Sequence, residues 1–501
     1  QDYALDADHY ALTMMYALWK RGQHLTPVVV DEFFRKAPFV RAAGDYAGEL
    51  GGYVAFGGLG HLVEIIENLY FNEDDIAYIR EEMAEDFDPA FLDDLRRLRF
   101  TGDLYAVKEG NIIYPNTPFI TMVAPAWECI WLEAQMLQTV NSESLFLTKA
   151  SRILTAAGDG AVILEMGKRR GQGRDATVNG AKMAYIAGFS ATSNLKAGKK
   201  FALPTTGTFA HFYVQFHPDE LDAFLHFAEV FPHKTIPVLD TADTLRSGLP
   251  NAIRTAKFLE EKGFRMIGVR LDSGDLAYLS KAVRERLDQE GLNYVKIAAT
   301  NDLDEYTITS LRQQGAKIDI WGVGTKFITA FDSPALGGVH KIVARKPFAH
   351  EKSGASLAED WIPLIKISDS LEKVLNPGLK KVYRIYDQHG MAKGDYIALS
   401  DESIAGEKEI VLRHPTNPLK TKVVKNFVCE ELLHPVFIGG KRTAALPGLD
   451  ELRKYHQQQK ATMWEEYLRL DVPEVYPVAL SEKLRELKEQ LVFKMRGKLR
   501  G

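Results

Sequence analysis

An α/β fold built on parallel strands is predicted by three observations. Between residues 161 and 325, short apolar runs rich in β-branched residues alternate with amphipathic helical stretches. Several of the runs end in polar or glycine-containing tips, where α/β enzymes bind ligands. Two of the helical stretches stop at glycines, Gly263 and Gly291, as a left-handed helix end requires. About six such units in succession fit either a barrel or a doubly wound sheet, and pattern alone leaves both open.

The elements follow in order. Ala161–Glu165 is a strand, and Asn179 to Gly188 reads as a helix. Lys200–Leu203 is the next strand, with a helix from Asp219 to Phe231. Thr235–Asp240 is a strand, and Asn251 to Lys262, placed after Pro250, is a helix. Arg265–Asp272 is paired with a helix over Leu276–Glu290. Tyr294–Thr300 and Asp304–Gln314 repeat the pair, and Lys317–Val323 is a further strand. Upstream, Tyr10–Lys20 is helical, Val28-Val29-Val30 is strand-like, and Gly51 to Gly60 forms glycine-rich loops. Trp127 to Ala157 reads as two helices, with Ser142 at the N-cap of the second. After Ala344 the texture turns more antiparallel: Ile362–Ile367, Val382–Tyr386 and Tyr396–Leu399 are strands around turns such as Asp387-Gln388-His389-Gly390. Part of this region is expected to return to the N-terminal part. The Lys/Arg-rich stretch Phe493–Arg500, balanced by Glu482, Glu486 and Glu489, reads as a solvated helix face.

A chain of 501 residues exceeds the size of one core, so several domains are expected. The predicted division is an N-terminal α+β domain over 1–115, open to completion by later segments, a catalytic α/β domain over 116–345, and a mixed C-terminal region over 346–501. The net charge of −5 argues against a nucleic-acid surface. Two distant cysteines, Cys129 and Cys429, make no disulfide framework or four-cysteine zinc site, which fits a reducing compartment. Neither a signal peptide nor a spanning apolar stretch of about 18 residues is visible, so a soluble, cytoplasmic protein is expected.

The polar strand ends are where chemistry is expected. Arg169-Arg170 would repel one another unless they face a phosphate or carboxylate, the plain alternative being one paired and one solvated arginine. In Leu271-Asp272-Ser273-Gly274-Asp275, Asp275 suits a helix cap and Asp272 suits ribose hydroxyls or a magnesium-bound diphosphate. Gly322-Val323-Gly324-Thr325 could hold a phosphate on bare backbone, or could be a turn needing positive φ. It lacks the continuation of a P-loop and the third glycine of a dinucleotide fingerprint. His211 lies in a Gly/Thr-rich loop, whereas His217, His226 and His233 lack metal-ligand spacing.

At these residues a family resemblance becomes specific. Lys168-Arg169-Arg170-Gly171, Gly207-Thr208-Phe209-Ala210-His211, Arg270-Leu271-Asp272-Ser273-Gly274-Asp275 and Gly322-Val323-Gly324-Thr325 resemble the nicotinate phosphoribosyltransferase family, in that order. Asp8-His9-Tyr10-Ala11-Leu12-Thr13-Met14, Phe33-Phe34-Arg35-Lys36-Ala37-Pro38-Phe39, Asp240-Thr241-Ala242-Asp243-Thr244-Leu245 and Leu336-Gly337-Gly338-Val339-His340-Lys341 are similar to further family segments. The resemblance runs from about Asp8 to Ala344.

It implies an irregular α/β barrel of the type II phosphoribosyltransferase kind, with an N-terminal α+β domain and a C-terminal extension. It implies a ligase-type pentosyl transfer: nicotinate and phosphoribosyl diphosphate give nicotinate mononucleotide and diphosphate, with ATP hydrolysed through a transient phosphohistidine and Mg2+ accompanying diphosphate and ATP. By position, His211 is the phosphorylated residue and Asp272 positions the ribose. Tyr10 stacks on the pyridine ring from a partner subunit of a homodimer. Thr208 and Arg270 contact nicotinate, and Arg169 and Arg170 face its carboxylate or the 5-phosphate. Asn301, Gly324 and Thr325 hold phosphate, Arg35 is a further candidate for the diphosphate, and Ser273, Gly274 and Gly322 complete the substrate-binding set. Met166 stands where the family often has an aromatic residue, and His9 where an apolar one is common.

The same fold serves nicotinamide phosphoribosyltransferases, which place an aspartate near the amide. Ser193 occupies that position here, and the absence of a carboxylate favours the acid. A quinolinate enzyme would need more basic groups and no His211, and an inactive nucleotide-binding protein should lack strand-end residues that this chain retains.

Overall fold

Five strands pair in parallel in the order Ala191–Thr192, Val162–Glu165, Ile320–Val323, Lys296–Ala299 and Gly268–Leu271. Parallel pairing needs helical crossovers, and the chain supplies them. The helix Leu276–Gln289 starts at Asp275, whose carboxylate accepts from the Tyr278 N–H at 3.0 Å. The helix Glu305–Gln313 starts at Asp304, and Glu220–Val230 at Asp219, each capped in the same way. Single parallel bridges extend the sheet at both edges, Thr192 to Thr205 and Val238 to Arg270. Among the described residues no pairing joins those two edges.

The structure is a computed structural model that describes residues 3–41, 50–83, 86–351, 361–366, 374–414 and 419–498. Two units emerge, 146–334 and the combination of 1–145 with 335–501. The parallel sheet belongs to the first.

In the other unit a seven-stranded antiparallel sheet runs Ile362–Pro363, Gly338–Arg345, Pro27–Phe34, Ile120–Pro125, Asp103–Ala106, His434–Ile438, Lys441–Arg442. Pro27–Phe34 is buried almost throughout rather than on alternate residues, so both faces are covered and Val28-Val29-Val30 needs no polar partner positions. The two acids in that strand are paired: Asp31 with Lys380 at 2.8 Å and Glu32 with His340 at 3.0 Å. A second sheet orders Val428–Glu431, Lys380–Tyr386, Ala392–Leu399 and Val478–Leu480. Within it the fully buried Arg384 grips both oxygens of Asp395, at 2.8 and 2.9 Å. Removing one partner of such a buried pair costs about 3–5 kcal/mol.

Three sequence expectations are corrected. Lys200–Leu203 is not a strand: the helix Leu195–Phe201 runs through its start, capped by Asn194 on the Ala197 N–H, and Ala202 ends it at φ +53°. Thr235–Asp240 forms no ladder, only the bridge at Val238, because Pro237 has no N–H to donate. Residues Ala126–Ala157 are one helix of 32 residues, in which Ser142 donates its hydroxyl back to the Gln138 carbonyl at 2.7 Å instead of capping. Ile367, Leu499 and Arg500 lie outside the described residues.

Cys129 and Cys429 are both free thiols, and burial pushes the Cys129 thiol well up. Among the described residues, no helix is long and apolar enough to cross a membrane.

Candidate functional site

The carboxyl ends of all the parallel strands share one edge, and the predicted polar tips of unit 146–334 lie along it. His211 opens the short helix His211–Phe216. Its Nδ1 lies 3.0 Å from the Thr241 hydroxyl, and its Nε2 lies 3.5 Å from Asp272 and 3.7 Å from Asp240. The side chain keeps 35% exposure, so the ring is held yet reachable.

The two carboxylates are fixed by neighbouring hydroxyls. Thr300 donates to Asp272 Oδ1, and Ser273 donates to Asp240 Oδ2. Asp240 Oδ1 is buried and has no hydrogen bond. Such an atom costs free energy unless a ligand meets it, so it points to something that binds. His211, Asp240 and Asp272 offer ligand atoms within 4.8 Å of one another, an arrangement a cation fits. Magnesium prefers oxygen, which makes the two aspartates its natural holders.

Arg270, in the strand Gly268–Leu271, donates from Nη1 to the Thr208 hydroxyl at 3.0 Å. Its Nε is buried without a partner. Burial lowers the guanidinium's pKa, Asp272 and Asp240 oppose that, and Arg169 adds to it. Arg169 is therefore near enough to feel Arg270. Both Arg169 and Arg170 are exposed, and among the described residues neither has an ion pair, so the plain alternative of one paired and one solvated arginine is not what the fold adopts.

Gly322 and Gly324 have no positive φ. Their glycine requirement is one of space: a Cβ on Gly322 would lie 2.5 Å from Thr300 Cγ2, and one on Gly324 3.1 Å from the Met166 carbonyl. Gly274 is the residue with φ at +80°, in the turn before the capped helix. Asn301 and Asp302 are consecutive non-glycine residues at φ +85° and +45°, a strained tip of the kind found at binding sites. Thr325 begins a four-residue helix beside Gly324. Ser193 follows the strand Ala191–Thr192 and donates its N–H to the Glu165 carbonyl at 2.9 Å.

Tyr10 and Arg35 lie in the other unit. Tyr10 is on the helix His9–Lys20, 49% exposed, and Glu133 raises its pKa most. Arg35 follows the strand Pro27–Phe34, with its Nε buried and unbonded. Asp240 and Thr241 are legible in the sequence only as a strand end and a family segment, without a role in the site, and Thr300 and Glu165 are missing from the sequence-based set. Their signal was position: each stands at or just after a strand run, but only the fold shows which hydroxyl meets which carboxylate. His217 and His226 do approach, at 3.1 Å, within a hydrogen-bonded chain that includes Tyr213.

Comparison with known proteins fits this arrangement. Residues 5–141 match the model of the nicotinate phosphoribosyltransferase N-terminal domain, and residues 379–488 that of the C-terminal domain. The chain is 42% identical to a nicotinate phosphoribosyltransferase of Bacillus subtilis, covering 99% of this chain and 96% of that one. It is 34% identical to one of Dictyostelium discoideum, over 95% of this chain and 86% of that one. The crystal structure of human nicotinic acid phosphoribosyltransferase superposes with a TM-score of 0.81 at 27% identity, over 97% of this chain and 99% of that one. With sequence motifs, domain matches and fold in agreement along nearly its whole length, the chain belongs to the nicotinate phosphoribosyltransferase family.

Proposed function

We propose that this chain transfers a ribose 5-phosphate from phosphoribosyl diphosphate to nicotinate, in NAD biosynthesis. The observation that carries the reading is a histidine set against two carboxylates, Asp240 and Asp272, beside an arginine with an unpartnered buried Nε. The pyridine nitrogen bonds to C1 of the ribose as the C1–O bond to diphosphate breaks, and diphosphate leaves with the electron pair. Positive charge grows on the ribose, and Asp272 is suited to steady it. Arg270 and Thr208 orient nicotinate, and exposed Arg169 and Arg170 are free to meet its carboxylate or the 5-phosphate. Magnesium, held at Asp240 and Asp272, would neutralise the departing diphosphate. The strand bridges at Thr205 and Val238 favour a barrel-like wrap of the sheet around this edge. Free cysteines suit a cytoplasmic location.

In this reading ATP enters through His211, as in a ligase. With Nδ1–H donated to Thr241, Nε2 keeps its lone pair and bonds to the γ-phosphorus, ADP leaving; later attack by water releases phosphate. The aspartates nearby make that phosphohistidine electrostatically uneasy, which suits a species meant to break down. Tyr10 would stack on the ring from a partner subunit of a homodimer.

The test is direct. His211→Ala should abolish ATP stimulation and leave weak ATP-independent transfer; full ATP coupling in that variant refutes the role. Wild-type enzyme should turn over nicotinate and not nicotinamide, since Ser193 offers no carboxylate to the amide, and preference for the amide refutes the substrate. Mixing His211→Ala with Tyr10→Ala protein should restore activity if sites are shared between subunits.

A further inference from the structure

One buried carboxylate beside the site takes no part in the transfer chemistry. Glu165 ends the strand Val162–Glu165 and is 1% exposed. Its Oε1 accepts from the Gly167 N–H at 2.5 Å, and its Oε2 accepts from the Thr192 hydroxyl. Those donors belong to two different segments. Gly167 starts the turn that carries Arg169 and Arg170, closed by the Arg170 N–H on the Gly167 carbonyl at 2.9 Å. Thr192 precedes Ser193, whose own N–H is held by the Glu165 carbonyl.

We propose that Glu165 is a positioning residue for recognition of the pyridine substituent, fastening the Arg169-Arg170 turn to the Ser193 loop through a single carboxylate. This rests on the function proposed above. The neighbourhood supports it. A Cβ on Gly167 would lie 2.6 Å from Ile328 Cβ, and one on Gly171 2.1 Å from Thr177 Cγ2, so the turn is pressed against its support and has one seat. Thr177 ties the same two segments a second time: its hydroxyl accepts from Lys168 Nζ at 3.2 Å and its carbonyl from Asn194 Nδ2 at 3.1 Å. The Thr192 hydroxyl accepts from the Asn194 N–H at 3.0 Å, which leaves its one proton for Glu165. Burial raises the Glu165 pKa, and the bonds from Thr192 and Gly167 oppose that.

The bonding pattern separates the tie from the charge. In Glu165→Gln the amide oxygen can keep the Gly167 N–H, while the amide N–H donates to the Thr192 hydroxyl as its proton turns away. Both contacts survive without the charge. Glu165→Ala cuts both.

The experiment measures KM and kcat for nicotinate, together with the ratio of nicotinate to nicotinamide turnover. Glu165→Ala is expected to raise the nicotinate KM about tenfold with kcat within about threefold, and to erode the acid preference. Glu165→Gln should stay within about threefold of wild type on both readouts. An unchanged KM and preference in folded Glu165→Ala overturns the role, and so does Glu165→Gln as impaired as Glu165→Ala. Should Glu165→Ala lose its cooperative melt, Thr192→Val cuts the Oε2 end together with the Asn194 N–H bond, leaves the Gly167 end in place, and should shift the nicotinate KM in the same direction; no shift overturns the role. Wild-type protein without nicotinate turnover would sink the parent function instead, a distinguishable outcome.

Discussion

The Thr241 hydroxyl holds His211 at Nδ1, 3.0 Å away, so that Nε2 is the nitrogen turned toward Asp272 and Asp240. A ring anchored at one nitrogen presents the other in a fixed direction. Thr241→Val keeps the shape and removes the anchor. ATP-stimulated turnover should fall about tenfold, the scale of one lost hydrogen bond, while ATP-independent transfer persists. Initial rates with and without ATP decide, and undiminished stimulation counts against the anchor.

Arg270 shares its Nη1 with Thr208 and leaves Nε unpartnered in a buried setting. Lysine keeps the charge but loses the planar fork. Arg270→Lys should therefore lower kcat/KM for nicotinate about 10- to 100-fold, roughly 1.5–3 kcal/mol of charged hydrogen bonding. Steady-state kinetics beside a thermal melt would show whether the loss is of binding or of fold.

Acid stability should depend on His456, far along the chain from any of these groups. It is fully buried, its Nδ1 bonds the Gly110 carbonyl at 2.8 Å, and burial lowers its pKa to about 4. A histidine with a depressed folded pKa binds its proton more readily when unfolded. Its neutral form stabilises the fold fully above the ordinary value near 6.5, and that contribution drains away as pH falls toward about 4. The slope is worth on the order of 1.4 kcal/mol per pH unit within the window. His456→Asn keeps a donor for Gly110 and cannot titrate. Its urea-unfolding free energy should vary less with pH between 6.5 and 4 than that of the wild type, and parallel curves would contradict this assignment.

Much of the site was legible because strand ends are short and chemically loud. Asp272, Arg270 and His211 stood out by type, and the cap at Asp275 followed from the residue that begins a helix. The hydroxyls that aim them did not stand out, since Thr241 and Thr300 look like any β-branched residue until a carboxylate or imidazole is seen across from them. Glu165 was hidden differently, as the last residue of an apolar run with partners on two other segments. The missed elements share a cause too. Lys200–Leu203 has a strand's apolar end, but Asn194 caps a helix that takes its first two residues. Ser142 resembled a cap because serine's local bonding is ambiguous, and its i−4 bond lets the long helix continue.

The contact that forbids a side chain at Gly322 is with the methyl of Thr300, the same residue whose hydroxyl holds Asp272. Substitutions at these two positions are therefore ordered in time. Gly322→Ala introduced first would push Thr300 off its carboxylate and silence the enzyme. Thr300→Ser introduced first removes the nearest obstruction and keeps the hydroxyl, after which Gly322→Ala meets only the Met166 Sδ at 3.0 Å, a flexible side chain that can give way. Assay of the two single variants and the double should find the double more active than Gly322→Ala alone. A lineage can walk through this corner of the site in one direction and not the other.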